Sequence, residues 1–385
     1  MNPLRAIGWP WPGEPADARW REAIAAHPDA RPARVVAQHR SGYAVAESPD
    51  ADGYRAESLP DWQRPRTPPE ARAAVGDWVL VEGEPDGQPR IVALLPRFSA
   101  IKRGAAGEHY RQQLIAANID TVFVACGLDA DFNPRRIERY LLLVAGSGAQ
   151  PVVVLTKADR DGADAAGARA ALRDTVSAFA SSQGDGEGER APSATTAGEG
   201  VPVVAVNAKA PDSVWALAPW LEPGRTVVLV GSSGAGKSTI TNTLLGRERM
   251  KTGAVRTTDD RGRHTTTHRA LIALPSGACL IDTPGMRELK PTGEEDVGDS
   301  FADIEALAAQ CRFRDCRHDA EPGCAVRAAI EAGALDPDRF ANYLKLRDEV
   351  AGAADQLATR LAQKADARVQ GKALGKRLDE KYGRR

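Results

Sequence analysis

The spacing of hydrophobic positions changes twice along the chain, and each of the three resulting regions predicts a different kind of structure. Within residues 31–98, short runs with strand-like alternation lie at 33–40, 42–46, 75–81 and 90–95, separated by glycine-containing turns. Residues 114–230 instead alternate apolar runs with helical segments, which predicts a mostly parallel sheet covered by helices. A hairpin is predicted at 270–281, and from about residue 300 the spacing is helical.

A glycine-rich loop follows the apolar run at 227–230. The order Gly231-x4-Gly236-Lys237-Ser238 between a predicted strand and a predicted helix is the phosphate-binding pattern in its required context, and the alternative is a simple glycine-rich turn. Backbone N–H groups would surround phosphate oxygens, Lys237 would reach the outer phosphates, and the Ser238 hydroxyl would bind Mg²⁺. The predicted phosphate-binding residues are Gly231, Ser232, Ser233, Gly234, Ala235, Gly236, Lys237, Ser238 and Thr239.

Two motifs earlier in the chain predict recognition of a guanine base. Thr156, Lys157, Ala158 and Asp159 follow the predicted strand 151–155 and match the N/T-K-x-D signature of guanine-nucleotide proteins. A carboxylate at Asp159 can accept hydrogen bonds from N1–H and from the exocyclic amine of guanine, a donor pair that adenine lacks. Lys157 would pack its stem over the ring, and a helix N-cap is the alternative for Asp159. A second loop, Asn207, Ala208 and Lys209, is placed to contact the guanine oxygen, with Asn at the usual Ser position.

The remaining nucleotide motifs lie in two segments around the predicted hairpin. Asp282 begins a D-T-P-G sequence in which its carboxylate suits Mg²⁺ contact and the Gly285 N–H could bind the γ-phosphate. In the segment 262–268, Thr266 is predicted to complete the Mg²⁺ shell, with Thr265 as second choice. Because Met286 stands where many GTPases have a water-positioning Gln, His264 is the polar candidate for that role, and a surface histidine is the alternative.

The order of these motifs along the chain is reversed relative to the usual one. Base recognition comes first, the phosphate loop second and D-T-P-G third, whereas the usual order begins with the phosphate loop. This order predicts a circularly permuted domain with the same sheet. The segment after Gly285 then leads directly into the C-terminal region, which could transmit a nucleotide-dependent movement.

A compact Cys/His cluster follows in that C-terminal region. Cys311-x4-Cys316-x-His318-x5-Cys324 supplies three thiolates and one imidazole, a complete tetrahedral set for one structural zinc ion. Three of the five cysteines fall in this window, which suits a metal in a reducing cytosol better than disulfides.

Charge and hydropathy limit the other possibilities. The 51 basic and 52 acidic residues give a net charge of −1, so only local patches can favour nucleic acid. Basic residues at 360, 364, 368, 372 and 376 would form one helical stripe that suits RNA phosphates, with a solvated helix as the alternative. The basic stretch 97–104 could contact phosphates or be a solvated linker. We see no signal peptide and no membrane-length apolar run, and we expect a cytoplasmic protein.

The predicted fold is multidomain. The predicted units are an N-terminal extension with a short helix at 17–26 (residues 1–30), an OB-fold β-barrel with an SH3-like barrel as the alternative (31–112), a circularly permuted α/β P-loop GTPase domain (113–298) with a disordered insertion (183–200), a helical zinc-binding domain (299–350), and a basic C-terminal helix or tail (351–385).

Together these motifs, with Val75-Gly76-Asp77-Trp78-Val79 and Ala117-Asn118-Ile119-Asp120, resemble the RsgA (YjeQ/EngC) family of small-subunit-dependent GTPases. The resemblance implies a monomer that contacts 16S ribosomal RNA during late maturation of the 30S subunit, which in turn stimulates its GTP hydrolysis. It also implies that His264, at the family's switch histidine, assists hydrolysis. The alternatives are an RNA-binding scaffold that uses GTP only as a conformational sensor, and a GTPase acting on another RNA.

Overall fold

The computed structural model describes residues 3–39, 42–49, 53–64, 67–104, 112–182, 200–246, 270–282 and 290–382. Within these ranges no helix combines the length and the apolar character that crossing a bilayer requires. The strands are β1 (Arg31–His39), β2 (Gly42–Ala46), β3 (Tyr54–Ala56), β4 (Trp78–Glu82), β5 (Arg90–Leu94), β6 (Ala100–Gly104), β7 (Gln112–Ala117), β8 (Thr121–Gly127), β9 (Gln150–Thr156), β10 (Val203–Ala205), β11 (Thr226–Gly231), β12 (Ala270–Ala273) and β13 (Cys279–Asp282). The α-helices are α1 (Ala18–Ala25), α2 (Pro134–Ala145), α3 (Ala165–Ala171), α4 (Arg173–Ser182), α5 (Pro211–Val214), α6 (Lys237–Leu245), α7 (Val297–Ser300), α8 (Ala302–Ala308), α9 (Ala325–Glu331) and α10 (Pro337–Tyr382).

The central sheet has the order β10-β9-β8-β11-β13-β12. The first five of these strands run parallel, and β12 pairs antiparallel with β13. The apolar runs at 122–125, 152–155 and 227–230 are buried throughout, as expected for strands covered on both faces. The predicted alternation of strands and helices and the predicted hairpin are therefore confirmed, and the carboxyl ends of five parallel strands meet at one edge.

Antiparallel strands β1 to β5 form the N-terminal β-region. Strand β1 pairs with β2 and β4, β2 pairs with β3, and β4 pairs with β5. Beyond β3, Glu57 forms a parallel bridge with Arg90 of β5, so the two outer strands of this set also meet. Strand β1 additionally pairs with β12 at Ala37 and Ala270, which makes the N-terminal strands continuous with the central sheet.

The strand predicted at 75–81 begins only at Trp78. Gly76 adopts φ 95°, and a Cβ atom there would lie 2.2 Å from the Ala117 carbonyl oxygen. The chain therefore turns at Gly76 and passes directly against the end of β7, which a strand at this position could not do.

The N-terminal segment packs against this β-region. The helix predicted at 17–26 is confirmed as α1, and Trp20 on α1 is buried with Trp9. Trp9 contacts Trp20 and Trp78 edge-to-face, with ring centroids 5.4 Å and 4.8 Å apart. These aromatic contacts place the predicted extension within the same hydrophobic core as strand β4.

The stretch 97–104 is not a solvated linker. Arg97 Nη2 lies 2.6 Å from the fully buried Asp77 carboxylate, and residues 100–104 form β6, which pairs with β7. Arg97 neutralises a buried acid, so the first guanidinium of the stretch is already engaged within the protein.

Helices α7 to α10 surround a second hydrophobic core near the Cys/His cluster. The basic positions 360–376 all lie within the 46-residue helix α10, as their spacing predicted. The single helix predicted at 163–181 is instead two helices, α3 and α4, which meet at Leu172. The insertion predicted at 183–200 falls, apart from Gly200, outside the described residues.

A buried ionic network joins this helical region to α2. Arg339 of α10, which is 2% exposed, donates through Nη1 to Glu138 Oε1 of α2 at 2.7 Å. Its Nη2 donates to Asp303 Oδ1 of α8 at 2.8 Å, and Asn342 donates to Glu138 Oε2 at 2.7 Å. Arg135 of α2 also pairs with Glu138, so two cations face the two carboxylates. Matched and hydrogen-bonded charges can be buried without a large penalty.

Candidate functional site

The candidate site lies where the order of the central sheet reverses. From β8 the chain adds β9 and β10 on one side, then returns to place β11 and β13 on the other. Ala125 and Gly127 at the end of β8 pair with Gly231 of β11 and with Thr156 of β9. In open α/β sheets, ligands bind outside the carboxyl ends of the strands at such a switch point.

The phosphate loop connects β11 to α6 and requires its glycines. Gly231, Gly234 and Gly236 have φ values of 138°, 83° and 84°, which other residues rarely adopt. A Cβ atom at Gly231 would lie 2.2 Å from the Ala125 carbonyl oxygen, so the loop leaves the sheet pressed against β8. The Lys237 ammonium donates to the carbonyls of Gly231 at 2.8 Å and Ser232 at 2.5 Å, which holds this cation over the loop.

The base-recognition loop, Thr156 to Asp159, contacts the phosphate loop directly. The Thr156 hydroxyl is buried at the end of β9 and donates to the Ala235 carbonyl oxygen at 2.9 Å. A Cβ atom at Gly236 would lie 3.1 Å from this hydroxyl, so the close approach depends on a glycine. Lys157 follows with φ 60°, and Asp159 is exposed. The two motifs, 79 residues apart in sequence, are therefore joined by a buried hydrogen bond.

The loop of Asn207, Ala208 and Lys209 lies beside them. Asn207 Oδ1 accepts a hydrogen bond from the Lys209 N–H at 3.0 Å, which closes a tight turn. The Thr243 hydroxyl of α6 donates to the Ala208 carbonyl oxygen at 2.6 Å. The Ala158 N–H donates to the Val206 carbonyl oxygen at 3.3 Å. Asn207, which stands where a Ser is usual, therefore closes the turn with its own side chain. Hydrogen bonds fix this loop both to α6 and to the base-recognition loop.

Two acidic residues that the sequence did not single out complete this edge. Asp129 and Asp131 lie in the loop after β8, where Asp129 Oδ2 accepts from Lys157 Nζ at 2.6 Å and the Ser232 hydroxyl donates to Asp131 Oδ2. Burial is the largest single influence on Asp129 and opposes its ionisation. The hydrogen bonds from Lys157 and from the Asp131 N–H, together with the charges of Lys157 and Arg160, outweigh it and lower the pKa of that carboxyl. Their position directly after a buried strand is the signal that could have identified them, because strand ends converge at this edge.

Asp282 and Ser238 are the described residues of the predicted Mg²⁺ set. Asp282 ends β13, whose neighbour β11 leads into the phosphate loop, and Ser238 is the second residue of α6. A hydroxyl and a carboxylate are the oxygen ligands that Mg²⁺ prefers, so the donor chemistry fits. The other predicted switch residues, His264, Thr265, Thr266, Gly285 and Met286, lie outside the described residues.

The Cys/His cluster converges as its spacing predicted. Ligand atoms of Cys311, Cys316, His318 and Cys324 all lie within 4.8 Å of one another. Cys311 Sγ lies 3.9 Å from Cys324 Sγ, and His318 Nδ1 lies 3.6 Å and 3.5 Å from these two sulfurs. A zinc tetrahedron with ordinary bond lengths has sulfur–sulfur edges of about 3.8 Å and sulfur–nitrogen edges of about 3.6 Å. The donors therefore fit a zinc ion bound by four protein ligands.

Comparison with known proteins identifies relatives over nearly the whole chain. The family described as RsgA GTPase matches residues 94–292. A protein of Xanthomonas euvesicatoria pv. vesicatoria named small ribosomal subunit biogenesis GTPase RsgA is 66% identical over 375 residues, covering 97% of this chain and 94% of that protein. A protein of the same name from Xanthomonas axonopodis pv. citri has the same identity and coverage.

Two solved structures share the fold. The crystal structure of YjeQ from Thermotoga maritima aligns with a TM-score of 0.57 at 23% identity, covering 84% of this chain and 99% of that one. The crystal structure of YloQ, described as a circularly permuted GTPase, aligns with a TM-score of 0.52 at 21% identity, covering 85% and 96%. The predicted circular permutation is thereby confirmed at the level of the fold.

Proposed function

The chain belongs to the RsgA GTPase family, and on that premise we propose that it hydrolyses GTP to GDP and phosphate during biogenesis of the small ribosomal subunit. The membership makes the chain a GTP hydrolase. The role in small-subunit assembly follows the name of its 66% identical relatives.

The observation that carries the proposal is the hydrogen bond from the Thr156 hydroxyl to the Ala235 carbonyl oxygen. It brings the segment that matches guanine recognition against the segment that matches triphosphate binding. One nucleotide can therefore span both, with its base at Asp159 and its phosphates at Lys237.

The proposed roles follow from the chemistry of each side chain. Asp159 is exposed, and its carboxylate can accept the guanine donor pair. The backbone amides of the phosphate loop and the N-terminus of α6 bind the phosphates, and Lys237 moves its ammonium from the loop carbonyls to phosphate oxygens. Each phosphate contact replaces a neutral acceptor with a charged one, which favours the exchange.

Ser238, Asp282 and Thr266 are proposed to hold Mg²⁺, which when bound neutralises charge that develops on the phosphates. His264 is proposed to orient the attacking water, because Met286 has no group that could do so. Without a positioning Gln, hydrolysis by the isolated protein is expected to be slow.

The proposed domain organisation keeps the predicted boundaries. The bridge between Glu57 and Arg90, which brings β3 beside β5, supports an OB-fold assignment for residues 31–112, since that fold is a five-stranded Greek-key barrel. Residues 299–350 are proposed to bind one structural Zn²⁺, and α10 is proposed to contact 16S ribosomal RNA through its basic stripe. We propose that the protein acts as a cytoplasmic monomer.

The direct test measures GTP turnover with and without purified 30S subunits. The wild-type protein should turn over slowly alone and at least tenfold faster with 30S subunits, whereas Lys237→Ala should stay slow in both. Lys345→Ala, at an exposed position on α10 outside the basic stripe, is the matched control and should behave as wild type. Equal wild-type rates with and without 30S subunits would contradict the proposal.

A further inference from the structure

The carboxylate of Asp129, in the loop after β8, holds Lys157 of the base-recognition loop. Asp129 Oδ2 accepts hydrogen bonds from Lys157 Nζ at 2.6 Å and from Arg160 Nη1 at 3.1 Å. Its other oxygen accepts the backbone N–H of Asp131 at 3.1 Å, which fixes the orientation of the carboxylate. Asp129 is thus held by its own loop and in turn holds the two cations that flank Asp159.

The contact between Asp129 and Lys157 is partly shielded from water. The two side chains are only 20% and 21% exposed, so water screens their attraction incompletely. Lys157 has φ 60°, so the backbone already sets the direction in which its stem leaves the loop. The backbone and Asp129 together define both ends of a long side chain that is otherwise free to rotate.

The same loop also reaches the phosphate-binding half of the site. The Ser232 hydroxyl donates to Asp131 Oδ2, and Arg136 of α2 pairs with Asp131 Oδ1. One short segment after β8 therefore contacts the base-recognition loop through one acid and the phosphate loop through the next.

Resting on the proposed binding of GTP, we propose that Asp129 is a positioning residue for guanine nucleotides, acting through Lys157. Asp129 holds the Lys157 ammonium and thereby keeps the aliphatic stem of Lys157 in the place where this stem packs over the purine ring. A free lysine would lose rotamer entropy when it orders against the base, and the preformed ion pair removes that cost before binding. Asp129 does not touch the reacting phosphate, so it affects binding of GTP and GDP alike and leaves the chemical step unchanged.

The test uses the full-length chain with fluorescent GDP and GTP analogues. Asp129→Asn keeps the size of the side chain and removes its charge, and it should raise the Kd for both nucleotides about tenfold. In 30S-stimulated turnover the KM should rise by the same factor with kcat unchanged, the signature of lost uniform binding. Asp161→Asn removes an equal charge from the exposed turn beyond Arg160 and should bind both nucleotides as wild type does.

A double-mutant cycle tests whether the effect passes through the lysine. Once Lys157→Ala is present, adding Asp129→Asn should change the Kd by less than twofold. A tenfold loss in both backgrounds, or a lower kcat with unchanged KM, would overturn the positioning role. If Asp129→Asn unfolds, Asp129→Glu keeps the charge and should retain binding within about threefold; a larger loss would contradict the proposal. A wild-type protein that binds neither nucleotide would refute GTP binding itself, whereas normal wild-type binding with an unaffected Asp129→Asn would refute only this inference.

Discussion

Replacing Thr156 by valine removes a hydroxyl that joins the two nucleotide loops while keeping the shape of the side chain. Thr156 and Ala235 are both 0% exposed, so water cannot take the place of the lost donor at the Ala235 carbonyl oxygen. Leaving one buried acceptor unsatisfied costs about 1–3 kcal/mol. We expect the free energy of unfolding to fall by about that amount, and the phosphate loop to lose part of its preformed shape.

The assay combines urea unfolding with GDP titration of Thr156→Val and Thr156→Ser. The valine variant should raise the Kd for GDP about tenfold. Binding must then order the phosphate loop without this hydrogen bond, and a cost of about 1.4 kcal/mol corresponds to a tenfold change in Kd. The serine variant keeps the hydroxyl and loses only a buried methyl, so its stability should fall by about 1 kcal/mol while its Kd stays within about twofold of wild type. A valine variant with wild-type affinity and stability would refute the reasoning, because the two loops would then be held together by something else.

Three further outcomes are expected. Cys324→Ser removes a thiolate ligand, although the Ser hydroxyl can still accept the Arg327 N–H at the start of α9. Bound zinc should fall from one equivalent to a small fraction by metal analysis, with loss of helical circular dichroism because the metal stabilises this fold. Arg339→Met removes one of the two cations paired with the buried Glu138, which keeps Arg135, and the cation paired with the partly exposed Asp303. The loss of charged hydrogen bonds should destabilise by about 1–3 kcal/mol in urea unfolding, and a loss under about 1 kcal/mol would contradict the network. Burial raises the pKa of Tyr140 to about 12 from its usual value near 10, so the unfolded chain ionises first. The free energy of unfolding of the wild-type protein should therefore fall as the pH rises from 10 to 12, and it should fall less in Tyr140→Phe. A variant whose free energy of unfolding falls as steeply as that of the wild type would contradict this.

The sequence predicted the parts of the molecule whose pattern is local. The phosphate loop, the base-recognition loop and the Cys/His cluster are short motifs in which residue type and spacing are enough to indicate the geometry. The parallel sheet followed from buried apolar runs such as 152–155 and 227–230, and the hairpin at 270–281 followed from its central turn.

Contacts between distant segments were not predictable in the same way. Trp9 and Trp20 lie in a stretch without periodicity, and their burial depends on Trp78 more than fifty residues later. Asp129, Asp131 and the buried pair of Arg97 with Asp77 look like surface charges in the sequence. Each depends on a partner brought close by the fold, which neither propensity nor spacing encodes.

The most direct test of a single nucleotide site compares GDP and XDP binding to wild type and to Asp159→Asn. Xanthine carries a carbonyl where guanine carries its exocyclic amine, so the Asn amide can donate where the Asp carboxylate accepted. Wild type should prefer GDP and Asp159→Asn should prefer XDP, each by at least tenfold, while Lys237→Ala should weaken whichever nucleotide is preferred. An Asp159→Asn protein that binds GDP as wild type does and shows no preference for XDP would contradict a base bound at Asp159 and phosphates bound at Lys237 in one site.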